Sequence, residues 1–154
     1  MDKLLKKQWA ATHLVFKIMY TSQTTLRIHY ALTDQMGFVY YGNYAQFYEI
    51  GRTEAIRQLD YTYKDIESLG IFMPVVETAS TYLRPAKYDD IIIIKTILQE
   101  LPTDHSITFH TEIYNESNKL LNKGITTLFF IDAISKKKID IPFQLFDKLK
   151  GYFK

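Results

Sequence analysis

The segment richest in chemistry runs from Thr33 to Asn43 and reads TDQMGFVYYGN. It places a carboxylate, Asp34, in a tight turn a few residues before a helix start. A helix start presents backbone N–H groups that lack intrahelical acceptors, and it carries a partial positive charge. A carboxylate beside such donors pairs a base or nucleophile with an oxyanion stabiliser. Acyl transfer needs both, because the carbonyl oxygen gains negative charge in the transition state. The plainer reading of the same residues is a turn in which Asp34 caps the backbone and Gly37 supplies a positive φ. Local chemistry alone favours the plainer reading, since these residue types are common in turns.

Other nucleophiles are poorly supported. The chain has no cysteine, which excludes disulfides, thiolate metal sites and a cysteine nucleophile. No serine sits in a nucleophile-elbow context. The four histidines, His13, His29, His105 and His110, show no metal-ligand spacing, so no metal site is expected.

The elements that would position Asp34 follow from periodicity. Thr24 to Leu32 alternates, with Leu26, Ile28, Tyr30 and Leu32 on one face, as a half-buried strand does. Asn43 to Leu59 reads as the main helix, with Tyr44, Phe47, Tyr48, Gly51, Ala55 and Leu59 on one stripe. Asn43 is the expected N-cap, with Gln46 completing a capping box. Gly51 on the buried stripe costs about 1 kcal/mol against alanine, which predicts a close backbone approach there. Glu54 and Arg57 should pair on the outer face. A short helical turn over Tyr63 to Leu69 should end at Gly70.

The second half is rich in strands: Pro74 to Arg84, Asp90 to Leu101, Ser106 to Tyr114 and Leu120 to Ile134. The run Ile91-Ile92-Ile93-Ile94 predicts a central strand buried on both faces. Pro142 to Tyr152 reads as a terminal helix with Phe143, Phe146, Leu149 and Phe153 as its apolar stripe. One strand, one long helix and four strands joined by short polar turns imply an antiparallel sheet wrapped around that helix, an α+β fold.

Bulk properties set the class. The 154 residues are one domain's worth, and 47% of them are hydrophobic, enough for a real core. The formal net charge of +2 gives no reason to expect a nucleic-acid partner. No apolar run is long enough to cross a membrane. Lys3, Lys6 and Lys7 before Trp9 to Tyr20 imitate a leader, but His13 and Lys17 interrupt it and no small-residue cleavage site follows. Residues 1–22 are expected to be an N-terminal extension with a short amphipathic helix, and 23–154 the single domain.

From Arg27 to Arg57 the chain resembles the 4-hydroxybenzoyl-CoA thioesterase branch of the hot-dog superfamily. The matching pieces are Asp34, Gly37, Val39-Tyr40-Tyr41, Asn43-Tyr44, Phe47, Glu49 and Arg52-Thr53-Glu54, with a second match at Tyr82-Leu83-Arg84-Pro85-Ala86-Lys87-Tyr88-Asp89-Asp90. The resemblance implies a hot-dog thioesterase that splits an acyl-CoA, or an acyl-carrier-protein thioester, into acid and thiol. It puts the catalytic carboxylate on Asp34 and the oxyanion donor on the Tyr41 N–H. It also implies a pocket between two subunits joined edge to edge, hence a homo-oligomer, dimer or tetramer; a cytoplasmic setting is expected from the lack of cysteine, which fits an intracellular location. Coenzyme A would be part of the substrate, and no separate cofactor is expected.

Gly37, Val39, Tyr40, Asn43, Tyr44, Glu49, Tyr82 and Pro85 are the candidate substrate-binding residues. Glu49 would position water or the acyl group, or else serve as a surface partner of Arg52 or Thr53. Tyr82 and Tyr88 would line an acyl tunnel or fill the core. The chain departs from the family pattern in Leu32, where many members carry a second aspartate, and in Tyr41, where many carry histidine. The turn Pro102-Thr103-Asp104-His105 lacks the arginines that bind coenzyme A phosphates in some relatives, leaving Arg84, Lys87 and Lys123 as candidates. The rivals are a hot-dog dehydratase, which would need a histidine near the helix start, and a binding module that holds acyl-CoA uncleaved.

Overall fold

The computed structural model describes residues 19–154. The expected N-terminal amphipathic helix lies outside the described residues. Strand β1 spans Tyr20–Arg27 and is followed, after two 3-10 turns at Tyr30–Leu32 and Tyr41–Asn43, by helix α1, Tyr44–Arg57. Helix α2 is Tyr63–Ser68, and the strands after it are β2 (Ile71–Phe72), β3 (Val75–Tyr82), β4 (Ile91–Leu98), β5 (Ser106–Asn115), β6 (Leu120–Phe129) and β7 (Ile131–Asp132). Helix α3, Phe143–Leu149, leads into a final 3-10 turn, Lys150–Phe153. Five strands form one sheet in the order β1-β4-β5-β6-β3, every pairing antiparallel, while β2 and β7 form a separate ribbon. This is the α+β hot-dog arrangement, one sheet wrapped on one long helix.

The expected helix stripe is the buried one: Tyr44, Phe47, Tyr48, Gly51 and Ala55 are buried, joined by Ile56 and Leu59. Gly51 lies against β4 so closely that a Cβ there would stand 2.6 Å from Ile94 Cγ2 and 2.6 Å from Thr96 Oγ1. Gly124 on β6 plays the matching part, because a Cβ would stand 2.3 Å from Tyr48 Cζ. The Tyr48 hydroxyl contacts Asn122 Oδ1 and Ser80 Oγ, the latter at 2.9 Å, so the ring crosses the sheet and ends on β3. The salt bridge Arg57–Glu54 forms at 3.1 Å.

The core has two parts. One joins α1's first turns to Ile28, Val39, Ala86, Ile92, Ile94, Ile113 and Leu121. The other joins its last turns to Tyr20, Phe109, Phe130, Leu145 and Leu149. Each large apolar side chain buried in them contributes about 1.5–3 kcal/mol.

Several expectations need correction. β1 starts at Tyr20 and ends at Arg27, earlier than the alternation suggested. Ile91 and Ile93 are only partly buried, because among the described residues no layer covers the sheet's outer face; Ile92 and Ile94 are buried. The last long strand breaks at Phe130, which turns into the core, and Ile131–Asp132 pairs with β2 instead. In α3 the buried residues are Leu145 and Leu149, and Phe143 is exposed. Asn43 stands at the N-cap position of α1 but does not cap it: it has helical φ and ψ, its side chain makes no cap hydrogen bond, and its Nδ2 donates to Leu32 O at 2.9 Å. The chain enters α1 through a 3-10 turn, so there is no extended residue for a cap to occupy. A true capping box occurs at α2, between Thr62 and Asp65.

The Tyr63 hydroxyl at the start of α2 is buried, and burial pushes it up to about 12, with the Arg52 guanidinium beside it pulling partly the other way. A phenol whose folded value lies above its ordinary 10.0 favours the fold below that pH. The contribution is lost as pH rises from there toward about 12, since the unfolded chain ionises first. Melting temperatures recorded from pH 9 to pH 11.5 should fall steeply above about pH 10, and less steeply for Tyr63→Phe.

Candidate active site

The segment after β1 forms a tight loop on the first core cluster. Thr33 and Val39 form an antiparallel bridge, and Asp34 N donates to Phe38 O at 2.7 Å. Between them Gly37 adopts φ +79°, a conformation that costs a side chain about 1 kcal/mol. Asp34 Oδ1 accepts from Met36 N at 2.9 Å and from Phe38 N at 3.2 Å. The turn reading of Asp34 is therefore correct as far as it goes. Both of these bonds go to Oδ1.

Val39 anchors the loop, being buried and donating its N–H to Ala86 O at 2.8 Å. Tyr40 N donates to Leu32 O at 2.9 Å, and Asn43 Nδ2 reaches the same carbonyl. That carbonyl ties the loop to the helix start. Leu32, which stands where the resembled family often carries a second aspartate, thus acts here through its backbone.

Beside Asp34 lies a cleft of about 290 Å³ lined by Asp34, Met36, Phe38, Val39, Tyr41, Tyr44, Tyr82, Leu83, Arg84 and Pro85. Of the expected residues it gathers Asp34, Tyr41, Val39, Tyr44, Tyr82 and Pro85. Tyr41 opens its helical turn, so its N–H has no preceding carbonyl within that turn and is an orphan donor by geometry. The walls are aromatic: Tyr82 meets Tyr41 edge-on at 6.2 Å and Tyr44 at 5.3 Å between ring centroids. The Tyr82 hydroxyl donates to Tyr41 O at 3.3 Å, which links β3's last residue to the helix start.

Other expected residues fall elsewhere. Gly37 shapes the turn and Asn43 braces it, without lining the cleft. Tyr40 is exposed, its ring packed on Tyr41 at 4.8 Å. Tyr88 is exposed and packs on Tyr30 rather than in a tunnel. Glu49 lines a different hollow, of about 380 Å³, together with Gln46, Arg52, Val75, Thr78 and Thr126.

Of the candidate cations, only Arg84 lines the cleft, its Nη1 held by Leu120 O at 2.8 Å. Lys123 lines a third groove with His110 and Glu112. The turn after β4 is acidic, with Asp104 held below the usual carboxylate range by hydrogen bonds from Ser106. Sequence reasoning missed Met36, Phe38 and Leu83 as lining residues. Met36 and Phe38 were signalled by their place two and four residues after Asp34, and Leu83 by its place in the second motif.

A carboxylate, an orphan N–H and an aromatic groove make a site suited to acyl chemistry, and comparison with known proteins decides the family. Residues 36–122 match the family described as the thioesterase superfamily. The chain belongs to the thioesterase superfamily. YneP of Bacillus subtilis is 32% identical over 121 residues, covering 79% of this chain and 87% of its own. The acyl-CoA thioester hydrolase YbgC of Escherichia coli is 28% identical over 125 residues, 81% of this chain and 92% of its own. The crystal structure of a DHNA-CoA thioesterase from Staphylococcus aureus superposes with TM-score 0.74 at 32% identity, covering 78% of this chain and 80% of the other. This thioesterase thus carries the family's fold, and the matched residues 36–122 hold every lining residue of the cleft except Asp34, which stands two residues before the match.

Proposed function

We propose that the Asp34 cleft binds an acyl-CoA and hydrolyses its thioester. The observation that supports this is that Asp34 and Tyr41 line one aromatic groove in a member of the thioesterase superfamily. The acyl group lies among Tyr41, Tyr44 and Tyr82, and its carbonyl oxygen faces the Tyr41 N–H. Asp34 then either removes a proton from water, whose oxygen bonds to the carbonyl carbon, or attacks that carbon itself to give an anhydride that water opens. In both routes the C–S bond breaks, coenzyme A leaves as the thiol and the acid is freed. Arg84 is the cation placed to meet the anionic part of the substrate. Acyl-carrier-protein thioesters are the alternative donor at the same site.

Hydrolysis is favoured over dehydration because none of His29, His105 and His110 lines the cleft. A cytoplasmic setting belongs to the same proposal, and a chain without cysteine fits it. The exposed edge of β3 supports a dimer as the working unit, and a tetramer would be two such units. A screen of short, long and aromatic acyl-CoAs for free-thiol release tests the reading. At least one class should turn over. Saturable binding across the panel with no thiol release would instead identify a binding module.

A further inference from the structure

β2 and β7 form a two-stranded ribbon separate from the main sheet. β7 runs into a tight turn, Ala133-Ile134-Ser135-Lys136. Lys136 N donates to Asp132 O at 2.9 Å, and Asp132 N donates to Lys137 O at 2.9 Å, which closes the turn. Ile134 at its tip is 93% exposed. The chain just after α2 lies alongside, because Ala133 N donates to Gly70 O at 2.8 Å. That bond sets Leu69, about half exposed, beside the turn, and Phe72 follows, similarly exposed, on the paired strand. A lone exposed isoleucine is ordinary, but three apolar side chains on one projecting tip form a patch.

The same tip is basic. Lys136, Lys137 and Lys138 are all exposed, and none forms a salt bridge among the described residues. Lys136 Nζ stands 4.7 Å over the Phe72 ring, and Lys138 Nζ stands 4.7 Å over the Phe129 ring. Against these lysines stand Asp132 and, on α2, Glu67. Asp132 turns its carboxylate into the loop, where Oδ1 accepts from Ile134 N at 3.1 Å and from Ser135 N at 2.6 Å. The next acid, Asp140, lies beyond the Ile131–Lys138 bridge at the base of the turn.

An apolar tip flanked by lysines matches the interface of an anionic bilayer. The apolar side chains enter the boundary between headgroups and acyl chains, and the lysines stay at the phosphates. An acidic protein would satisfy the lysines but would need a pocket shaped for the projecting isoleucine. We propose that the tip formed by Leu69, Phe72, Ile134 and the three lysines docks this protein on the surface of an anionic lipid bilayer. Ile71 of the ribbon belongs to the core around α1's last turns, whereas the Asp34 loop sits on the core around its first turns. Docking by the tip therefore leaves the Asp34 cleft facing water.

Co-sedimentation of the full chain with vesicles tests this. One set is phosphatidylcholine alone, and in the other about a third of the lipid is phosphatidylglycerol. The wild type should bind the second set and not the first, and about 0.5 M salt should release it. Lys137→Glu with Lys138→Glu should weaken binding by about twentyfold or more, at about fivefold per lysine. Lys136 is kept, because its Nζ braces the turn by donating to Ala133 O. Ile134→Ser should weaken binding about tenfold. All three positions are exposed, so both variants should keep the wild-type melting temperature. Insertion is read with a polarity-sensitive dye on an introduced cysteine, since the chain has none of its own. Dye on Ser135→Cys should shift to the blue on the anionic vesicles. Dye on Glu116→Cys, in the turn joining the far ends of β5 and β6, should not. No binding by the wild type, equal binding to both vesicle sets, or wild-type binding by either variant overturns the proposal. So does binding through the same lysines to an acidic carrier protein in place of vesicles, which would make the tip a protein contact. None of these outcomes bears on the hydrolase reading, which thiol release in solution decides.

Discussion

Replacing Asp34 by asparagine is expected to lower kcat by about 10³-fold while leaving the fold in place. The physical reason lies in what each oxygen does. Oδ1 holds the turn by accepting from Met36 N and Phe38 N, and an amide oxygen can accept the same two bonds. The negative charge, by contrast, is required for proton removal or for attack, and asparagine lacks it. Asp34→Ala removes both functions. It should be equally inactive and additionally less stable by about 1 kcal/mol, because two turn N–H groups lose their acceptor. Comparing kcat and melting temperature for the two variants separates chemistry from turn geometry. An Asp34→Asn enzyme with near-normal kcat would remove Asp34 from the mechanism.

The largest effect on stability is expected for Gly124→Ala. The added Cβ would stand 2.3 Å from Tyr48 Cζ and 2.5 Å from Cε2. The ring has nowhere to swing, because its hydroxyl is held by Ser80 and Asn122 and its body is buried between α1 and the sheet. Overpacking a pinned ring should cost about 3 kcal/mol, the upper part of the usual range. That lowers the melting temperature by about 10 °C in a chain of this size. Shortening the ring in Gly124→Ala with Tyr48→Leu should recover part of the loss, giving a non-additive double-mutant cycle. Additive losses, or an unchanged melting temperature for Gly124→Ala, would show that the helix does not sit this close to β6.

Much of this architecture was legible in the residues. The stripe from Tyr44 to Leu59 named the buried face of α1, and a glycine on that face announced the close approach to β4. Asp34 and Gly37 announced the turn, and the motif from Tyr82 to Pro85 supplied the facing wall of the cleft. What could not be read depended on long-range placement. Asn43 has the chemistry of an N-cap, yet the 3-10 entry turned its side chain back to Leu32 O. Ile91 and Ile93 looked buried because isoleucine reports propensity for a strand, not how many layers cover it. Phe143 looked like part of a stripe until α3 docked through Leu145 and Leu149. Glu49 is the most instructive case. Its position on the helix was clear, but which hollow it faces depends on β3 being the edge of the sheet, and that order is set by pairings spread from Tyr20 to Phe129.

Under the proposed function, the chemical step happens at Asp34 in the aromatic cleft. A single-turnover measurement, with enzyme in excess over the acyl-CoA that the screen identifies, isolates that step from product release. Wild type and Asp34→Asn should bind the substrate alike, while the rate of free-acid formation should fall by about 10³-fold in the variant. Equal rates of acid formation in the two enzymes would contradict the account and place the reaction elsewhere in the molecule.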